Sequence, residues 1–433
     1  MNERPSIDRP ATPAALTNWL TIAIVVASGI VAALQVGKVA IALPALRGDL
    51  GFDLAAAGWI TSVFALLGAV GGIPVGASVN RFGDRNLLLL GLITLALGGV
   101  AGAFAGNLAV LLGSRVIEGA GFLLIVIAAP SVLERVVAPR HRDLAFGILS
   151  AFMPAGIAIA LLAGPALAGW RGLWLANAAL AIVVAGLVAI IVARGEPNRG
   201  GLSWRAMIQD TKATVAAGGP LLLALEFAAF SVQYFAVISF LPILLVERMA
   251  VSVVTAGALT AVAVAANIVG NLAAGLLLTR GVARWALIAA TTVVMGLTGA
   301  GIFLAATPPG VVFLLCVIFS GVGGLLPAAV LSGAPQLAPT PRLAPIAIGL
   351  VMQGSSLGLV IGPVAVGIVV DAAGWSAAAL PVAIGAVIGC TLAFALRASA
   401  RFSTTSGAHR SADGHASSRS IQLPARQGHE RPL

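Results

Sequence analysis

Long apolar runs separated by short polar connections make up most of the chain. A helix needs about 20 apolar residues to cross a bilayer, and the runs predict twelve such helices. They lie near residues 18–44, 55–79, 86–106, 108–133, 144–168, 171–193, 219–246, 252–279, 285–306, 310–333, 344–371 and 375–396. The pattern therefore predicts an all-α polytopic membrane protein.

The longest internal connection divides these spans into six and six. Residues 194–218 are predicted to form a cytoplasmic linker, and apolar positions at helical spacing within it indicate a short helix on the membrane surface. Residues 18–193 and 219–396 are then two six-helix bundles, and residues 1–17 are a cytoplasmic tail. Residues 397–433 are rich in Ser, Gly, His and Arg, a composition typical of a disordered cytoplasmic tail.

Composition and charge agree with a membrane protein. Hydrophobic residues make up 59% of the 433 residues and charged residues only 9%, against roughly 25% charged in a soluble domain. Most of the 25 Lys and Arg residues fall in connections on one side, which predicts that both termini are cytoplasmic. Arg47, Arg171 and Arg248 fall on the other side. This bias accounts for the net charge of +10 without a nucleic-acid partner.

Enzymatic and metal-binding motifs are missing from the sequence. All four His residues lie in a connection or a tail, and there is no Walker loop for ATP. The sequence therefore predicts no enzyme, no cofactor and no metal site. Any uphill movement of a solute would draw on an ion gradient.

A motif between spans 2 and 3 recurs between spans 8 and 9. GASVNRFGDR begins at Gly76 and GLLLTRGVAR begins at Gly275. An ungapped alignment pairs those two glycines and pairs Arg81 with Arg280 and Arg85 with Arg284. A duplicated six-span unit explains the copy, and parallel halves occur in transporters. A simple positive-inside connection, the alternative, does not predict a second copy.

These residues resemble the major facilitator superfamily. The first motif reads G-x-x-x-[D/N]-R-x-G-x-R, and RVIEGAG at residues 115–121 resembles the R-x-x-x-G-x-G motif of span 4 in that family. The resemblance implies two pseudo-symmetric six-helix bundles, a monomer, and transport by alternating access with a site near the midplane. It also implies a cytoplasmic latch formed by Gly76, Asn80, Arg81, Gly83, Asp84, Arg85, Gly275, Arg280 and Arg284.

Two details refine the resemblance. Asn80 stands where the family usually carries Asp, so the latch is weaker here or Asp84 shares its role. QVGKVAIALPALRGDLG in span 1 and SVQYFAVISFLPILLVER in span 7 are similar to the cyanate and nitroimidazole transporter branch. That branch handles small, often anionic or polar molecules.

Four ionisable side chains within the spans are the candidate functional groups: Lys38, Arg115, Glu118 and Glu226. Each would cost about 2.5–3.5 kcal/mol at the bilayer centre, so we expect them to face a cavity or one another. Arg115 and Glu118 are three residues apart and share a helix face. In the family, spans 1, 4 and 7 line the central cavity, where Lys38, Arg115 and Glu118 would form a cluster of net charge +1 that attracts an anion.

Alternatives remain for each of the four. Lys38 either contacts substrate or extends its ammonium to the outer surface. Arg115 is a ligand, a structural residue or part of a proton relay, and Glu118 is a coupling group or simply the partner of Arg115. Glu226 is a proton-coupling group or a neutral acid in packing.

Uncharged polar residues complete the predicted site. They can hydrogen-bond a ligand, although each is also compatible with a helix–helix contact. The predicted substrate-binding set is Gln35, Lys38, Arg115, Gln233, Tyr234 and Gln353. The predicted proton-coupling residues are Glu118 and Glu226.

Stripes of small residues predict where helices approach closely. In the superfamily, spans 2 and 11 face each other across the interface between the halves, so the resemblance implies that Gly68, Gly72 and Gly76 in span 2 face Gly354, Gly358 and Gly362 in span 11; ordinary packing inside one half is the alternative. A second predicted pair is formed by Gly156, Ala160 and Gly164 in span 5 with Ala266, Gly270 and Ala274 in span 8.

Together these features predict a secondary active transporter in a bacterial inner membrane. It would move a small anionic or polar solute, driven by protons. Two alternatives stay open. One is efflux of drug-like compounds by the same fold, and the other is a membrane receptor that kept the fold and lost transport. Asn80 is the feature that favours the receptor.

Overall fold

The structure is a computed structural model that describes residues 17–52, 54–167, 169–195 and 204–417. The predicted tail before Thr17 and the last part of the chain, 418–433, lie outside the described residues. Those ranges hold sixteen α-helices: α1 (Trp19–Leu50), α2 (Leu54–Phe82), α3 (Asp84–Ala103), α4 (Leu108–Val136), α5 (Arg142–Ser150), α6 (Phe152–Ala163), α7 (Gly169–Ile191), α8 (Trp204–Ala216), α9 (Gly219–Ile238), α10 (Leu241–Met249), α11 (Val253–Thr279), α12 (Arg284–Phe303), α13 (Pro309–Gly323), α14 (Leu325–Leu337), α15 (Ala344–Ala373) and α16 (Ala379–Ser417).

Twelve helical segments are long and apolar enough to cross a membrane, which confirms the predicted number of spans. Spans 5, 7 and 10 are each interrupted, as the pairs α5–α6, α9–α10 and α13–α14. Pro154, Pro242 and Pro327 each lie four positions after the last residue of the first helix in the pair. Proline lacks the N–H that would bond that residue's carbonyl. The apolar pattern predicted the spans but not these interruptions.

The ends of the elements differ from the prediction at two places. Helix α1 continues to Leu50 rather than ending near residue 44. Helix α16 continues to Ser417, although disorder was predicted from residue 397. Propagating an existing helix is easier than nucleating one, and residues 397–417 contain no proline. The predicted surface helix in the linker is present as α8.

Helices α1–α7 form one half, α9–α16 form the other, and α8 lies between them. The halves meet where α2 packs on α15 and where α5 and α6 pack on α11. A Cβ atom at Gly72 would meet the carbonyl oxygen of Gly349, and one at Gly76 would meet that of Pro345. The predicted stripe on span 2 therefore does face span 11.

The predicted partner stripe on span 11 is wrong. A Cβ atom at Gly354, Gly358 or Gly362 would meet the backbone of α9, so this stripe packs inside the second half. The other predicted pair is wrong as well, because Gly156 packs on α1 and Gly270 packs on α13. A helix surface has several faces, and spacing alone does not tell which neighbour each face meets.

Hydrogen bonds also tie the ends of α1 and α7 together on the side away from the repeated motif. Asp49 Oδ2 accepts hydrogen bonds from Trp170 Nε1 and Arg171 Nη1, each at 2.8 Å. These donors stabilise the carboxylate, and they hold the pKa of Asp49 below its ordinary value of 3.8.

Candidate functional site

Three of the four predicted charged residues form a buried cluster inside the first half, and we call Lys38, Arg115 and Glu118 the charged triad. Lys38 Nζ lies 2.6 Å from Glu118 Oε1, and Arg115 Nη1 pairs with Glu118 Oε2. All three side chains are at most 1% exposed. Glu118 therefore bridges two cations, and the net charge of the triad is +1.

Aromatic rings and a backbone carbonyl complete the surroundings of the triad. Lys38 Nζ lies 4.1 Å from the ring centroid of Trp174 on α7, and Arg115 Cζ lies 4.6 Å from that of Phe64 on α2. Arg115 Nε donates to the carbonyl of Ile60 at 3.2 Å. Ring faces stabilise desolvated cations, so both cations have partners without any ligand.

Lys38, Arg115 and Glu118 come together as the sequence predicted, but they are buried inside one half instead of facing a central cavity. Lys38 is 0% exposed, so its ammonium does not reach the outer surface, and that alternative is wrong. The triad is enclosed by α1, α2, α3, α4 and α7. An open, cavity-facing cluster is therefore absent in this conformation, and Lys38 already has a carboxylate partner.

Glu226 lies apart from the triad, in the second half. Its side chain is 2% exposed and points at α12, where Thr292 Oγ1 donates to Glu226 Oε1 at 3.3 Å. The second carboxylate oxygen, Oε2, has no hydrogen-bond partner. The two predicted coupling residues are thus in different environments, one paired twice with cations and one with a single neutral donor.

The uncharged members of the predicted substrate set do not converge on one site. Gln35 and Gln233 are fully buried, and each amide makes only a 3.5 Å contact with a carbonyl of its own helix. Tyr234 stacks on Phe230, and its hydroxyl lies 3.4 Å from Ser320 Oγ within the second half.

Gln353 is the member of this set that connects the two halves. Its Nε2 donates to the carbonyl of Ala69 on α2 at 2.6 Å, and its Oε1 has no partner. This is the helix–helix contact that the sequence left open as the alternative to ligand binding.

The predicted cytoplasmic latch contains an ion pair at Asp84. Arg135, at the end of α4, donates to both carboxylate oxygens of Asp84, at 2.8 and 3.0 Å. Asn80 has a different role, because its Nδ2 donates to the carbonyl of Arg342 at 2.9 Å, just before α15. Asp84 therefore carries the charge in this latch, and Asn80 links the halves through a neutral hydrogen bond.

The repeated motif builds a second cross-link in the equivalent place. Arg284, the counterpart of Arg85, bonds Ser332 and Gln336 in its own half and lies 3.3 Å from Asp143 Oδ1 at the start of α5. A Cβ atom at Gly275 would likewise meet Asp143 and Leu144 across the interface. By contrast, Arg85 bonds the carbonyl of Ala189 within the first half. Arg81 and Arg280 are exposed, and Gly83 has a φ of 80° before α3.

A small apolar void lies between the two halves and was not predicted. It is enclosed by residues of α1, α4 and α5–α6 from one half and of α14 and α15 from the other. Its lining is Gly29, Ile125, Val126, Ala129, Pro130, Leu149, Phe152, Leu331 and Met352. None of these side chains is polar, so the search for charged and polar residues in the sequence could not find them. We call this cavity the interhalf void.

Sequence comparison agrees with the fold. The model of the Major Facilitator Superfamily matches residues 25–345. The chain belongs to the Major Facilitator Superfamily. It is a multi-pass membrane protein of this transporter family, and the resemblance seen in the two latch motifs is confirmed.

Curated relatives in the superfamily match part of the chain. The tetracenomycin C resistance and export protein of Streptomyces glaucescens is 33% identical over 183 residues, which is 41% of this chain and 34% of the relative. The methyl viologen resistance protein SmvA of Salmonella typhimurium is 31% identical over 188 residues, 42% of this chain and 37% of the relative. The chain thus spans about a third of the length of the curated relatives it matches.

A solved structure supports the architecture of most of the chain. The Escherichia coli fucose:proton symporter FucP matches with a TM-score of 0.69, covering 87% of this chain and 98% of FucP. The sequence identity is 17%, so this likeness shows the fold alone. The predicted two-bundle superfamily fold is confirmed.

Proposed function

We propose that this protein exports a drug-like organic compound across the cytoplasmic membrane of a bacterium by alternating access, in exchange for protons. Both relatives named above carry resistance names, and one is also named an export protein. These names favour the efflux alternative over uptake of a small anion and over the cyanate and nitroimidazole branch.

The names of these relatives carry the substrate class; the interhalf void has a volume of only about 10 Å³ in this conformation and would have to widen to hold an organic compound. Its nine lining residues come from both halves and are all apolar. A site lined in this way gains free energy by burying apolar ligand surface, about 25 cal/mol per Å², and offers an anion no hydrogen-bond donor. In the charged triad, Lys38 and Arg115 share the carboxylate of Glu118, and all three side chains are buried inside the first half, so the remaining charge of +1 does not face an open cavity that an anion could enter.

The transport cycle is supported by the contacts between the halves. Asn80 with the Arg342 carbonyl and Arg284 with Asp143 both lie at the end of the spans that carries the latch motifs. The close approach of Gly72 to Gly349 continues this seal. We assign this end to the cytoplasm from the Lys and Arg bias, so the structure is closed to the cytoplasm. Opening it would break these few contacts while each six-helix bundle remains intact.

We propose the bundles, the linker, the orientation and the oligomeric state of the transporter as parts of the same transport cycle. Residues 18–193 and 219–396 are the two moving bundles, and the linker containing α8 lies on the cytoplasmic surface. Both termini are cytoplasmic, and the transporter works as a monomer in the bilayer.

Inside-out membrane vesicles with an acidic lumen test the proposal. We expect accumulation of tetracenomycin C or methyl viologen that a protonophore abolishes. Phe152→Ala, which removes a ring from the interhalf void, should lower this accumulation. The matched control is Phe104→Ala, because Phe104 is 76% exposed at the end of α3.

Other outcomes of the vesicle assay select the alternatives. Movement of preloaded cyanate out of the acidic lumen, with neither drug moved, would support the proton-driven anion uptake of the sequence-based prediction. Specific binding of a drug without movement of drug or cyanate would support the receptor. An equal loss in Phe152→Ala and Phe104→Ala would remove the interhalf void from the argument.

A further inference from the structure

Three acids are buried in the described spans, and Asp84, at the end of its span, is paired with Arg135 in the latch. Glu118 and Glu226 remain as candidates to carry the coupling proton, and their surroundings differ. Glu118 makes an ion pair with each of two cations, Lys38 and Arg115. Its negative charge is already used to neutralise buried positive charge. A proton added to Glu118 would leave two cations facing each other in a buried site, which is costly.

Glu226 has the opposite surroundings. Its carboxyl group is buried between α9, α12 and α16, and its one hydrogen bond comes from the neutral hydroxyl of Thr292. A buried carboxylate ion without a counter-charge costs several kcal/mol. A bound proton removes that cost and turns the unpartnered Oε2 into a hydroxyl.

Among the described side chains, no charged group on the helices packed against α9 contacts Glu226. Cys390 on α16 lies within electrostatic range of Glu226 but is a neutral thiol in its ordinary form. Lys212 on α8 is exposed. Arg205 on α8 is exposed as well. The other charged side chains have their own partners: Asp210 pairs with Arg342, Arg284 contacts Asp143, Arg397 lies over Trp285, Arg248 donates to carbonyls of Phe303 and Leu304, and Glu247 accepts from Trp375.

Small residues on α16 provide the space for this carboxyl group. A Cβ atom at Gly389 would lie 3.0 Å from Glu226 Oε1 and 2.7 Å from Thr292 Cγ2. Gly385, one turn earlier, gives the same close approach to Gln233. Helix α16 therefore covers the acid with backbone only.

We propose that Glu226, held by Thr292 beneath Gly389, is the residue that carries the coupling proton, and that the charged triad is a fixed structural element. In the cytoplasm-closed conformation Glu226 is a neutral acid. Glu226 lies seven residues into α9, about 10 Å along the helix from its cytoplasmic start. When the cytoplasmic side opens, the acid gives its proton to a water molecule, which leaves a carboxylate and a hydronium ion. The coupling role rests on the proposed function, but the presence of the bound proton does not.

Infrared spectroscopy of the purified protein tests the bound proton without any substrate. At neutral pH the wild type should show the carbonyl stretch of a protonated carboxyl group, and Glu226→Gln should lose it. The control Glu247→Gln, the same change in the same half, should keep the band. Thr292→Val, which removes the donor but leaves the acid, should shift it. A wild type without this band, or a band that survives in Glu226→Gln, would overturn the proposal.

Transport in vesicles then tests coupling. A pH gradient should increase accumulation of tetracenomycin C by wild type and by Glu247→Gln several-fold, and should have no effect on Glu226→Gln. A gradient response that remains in Glu226→Gln would refute the coupling role. If the wild type moves neither tetracenomycin C nor methyl viologen while the infrared band is present, the proposed function fails and the proton site stands.

Discussion

Replacing Glu118 with Gln tests whether the charged triad holds the first half together. The substitution keeps the shape of the side chain but removes the charge that Lys38 and Arg115 share. Both cations are at most 1% exposed, so water cannot replace the lost carboxylate. Breaking a buried ion pair in this way costs about 3–5 kcal/mol. The folding equilibrium constant should therefore fall roughly 150- to 4,000-fold.

Unfolding by sodium dodecyl sulfate in mixed micelles, followed by tryptophan fluorescence, measures this change. Adding Lys38→Met to Glu118→Gln removes one of the two uncompensated cations, so the double variant should recover at least about 1 kcal/mol relative to Glu118→Gln. Glu247→Gln, outside the cluster, should stay within about 0.5 kcal/mol of the wild type.

Two results would contradict this account of the triad. One is a Glu118→Gln protein whose free energy of unfolding lies within about 0.5 kcal/mol of the wild type. The other is a double variant that is no more stable than Glu118→Gln. Either result would mean that water or a ligand compensates Lys38 and Arg115 in solution.

Further predictions concern the latch and the outer ends of the spans. Asp143→Asn weakens the pair with Arg284 by about 1 kcal/mol, so spin-label distances across the cytoplasmic face should show the open population rise roughly five-fold; no change would remove this pair from the gate. Asn80→Asp replaces an amide donor with a carboxylate facing a carbonyl, and should shift the same distances towards open. A shift towards closed would mean that the acid gains a new donor at the start of α15. Because the folded pKa of Asp49 is lowered, its contribution to stability is present above pH 3.8 and is lost as the pH falls further. Thermal stability of Asp49→Asn should therefore fall less than that of the wild type below pH 3.8, and parallel pH profiles would contradict the assignment.

Several features could be predicted because they depend on local composition. An apolar run of about 20 residues must lie in lipid, so the twelve spans follow from counting. The duplicated motif beginning at Gly76 and Gly275 indicated the two halves and the family. The breaks in spans 5, 7 and 10 were not predicted: Pro154, Pro242 and Pro327 each remove a helix hydrogen bond four residues earlier, but Pro74, Pro130 and Pro363 lie inside continuous helices.

The sequence did not predict how each helix is rotated about its own axis. Gly354 and its neighbours at four-residue spacing were expected at the interface between the halves, but they face α9 inside the second half. The spacing shows that one face of α15 lacks large side chains. Which helix lies against that face depends on how all twelve spans pack together.

The sequence by itself determined the number of spans, the two-fold repeat, the latch motif and the few charges that lipid makes costly. Only the tertiary structure decided what those charges do. Lys38 and Glu118 are 80 residues apart and meet because α1 packs on α4, whereas Glu226 meets only a hydroxyl. Helical spacing fixes neighbours within one helix. The environment of a buried charge is fixed by the helices around it, because their side chains and backbone groups replace the water that the charge has lost.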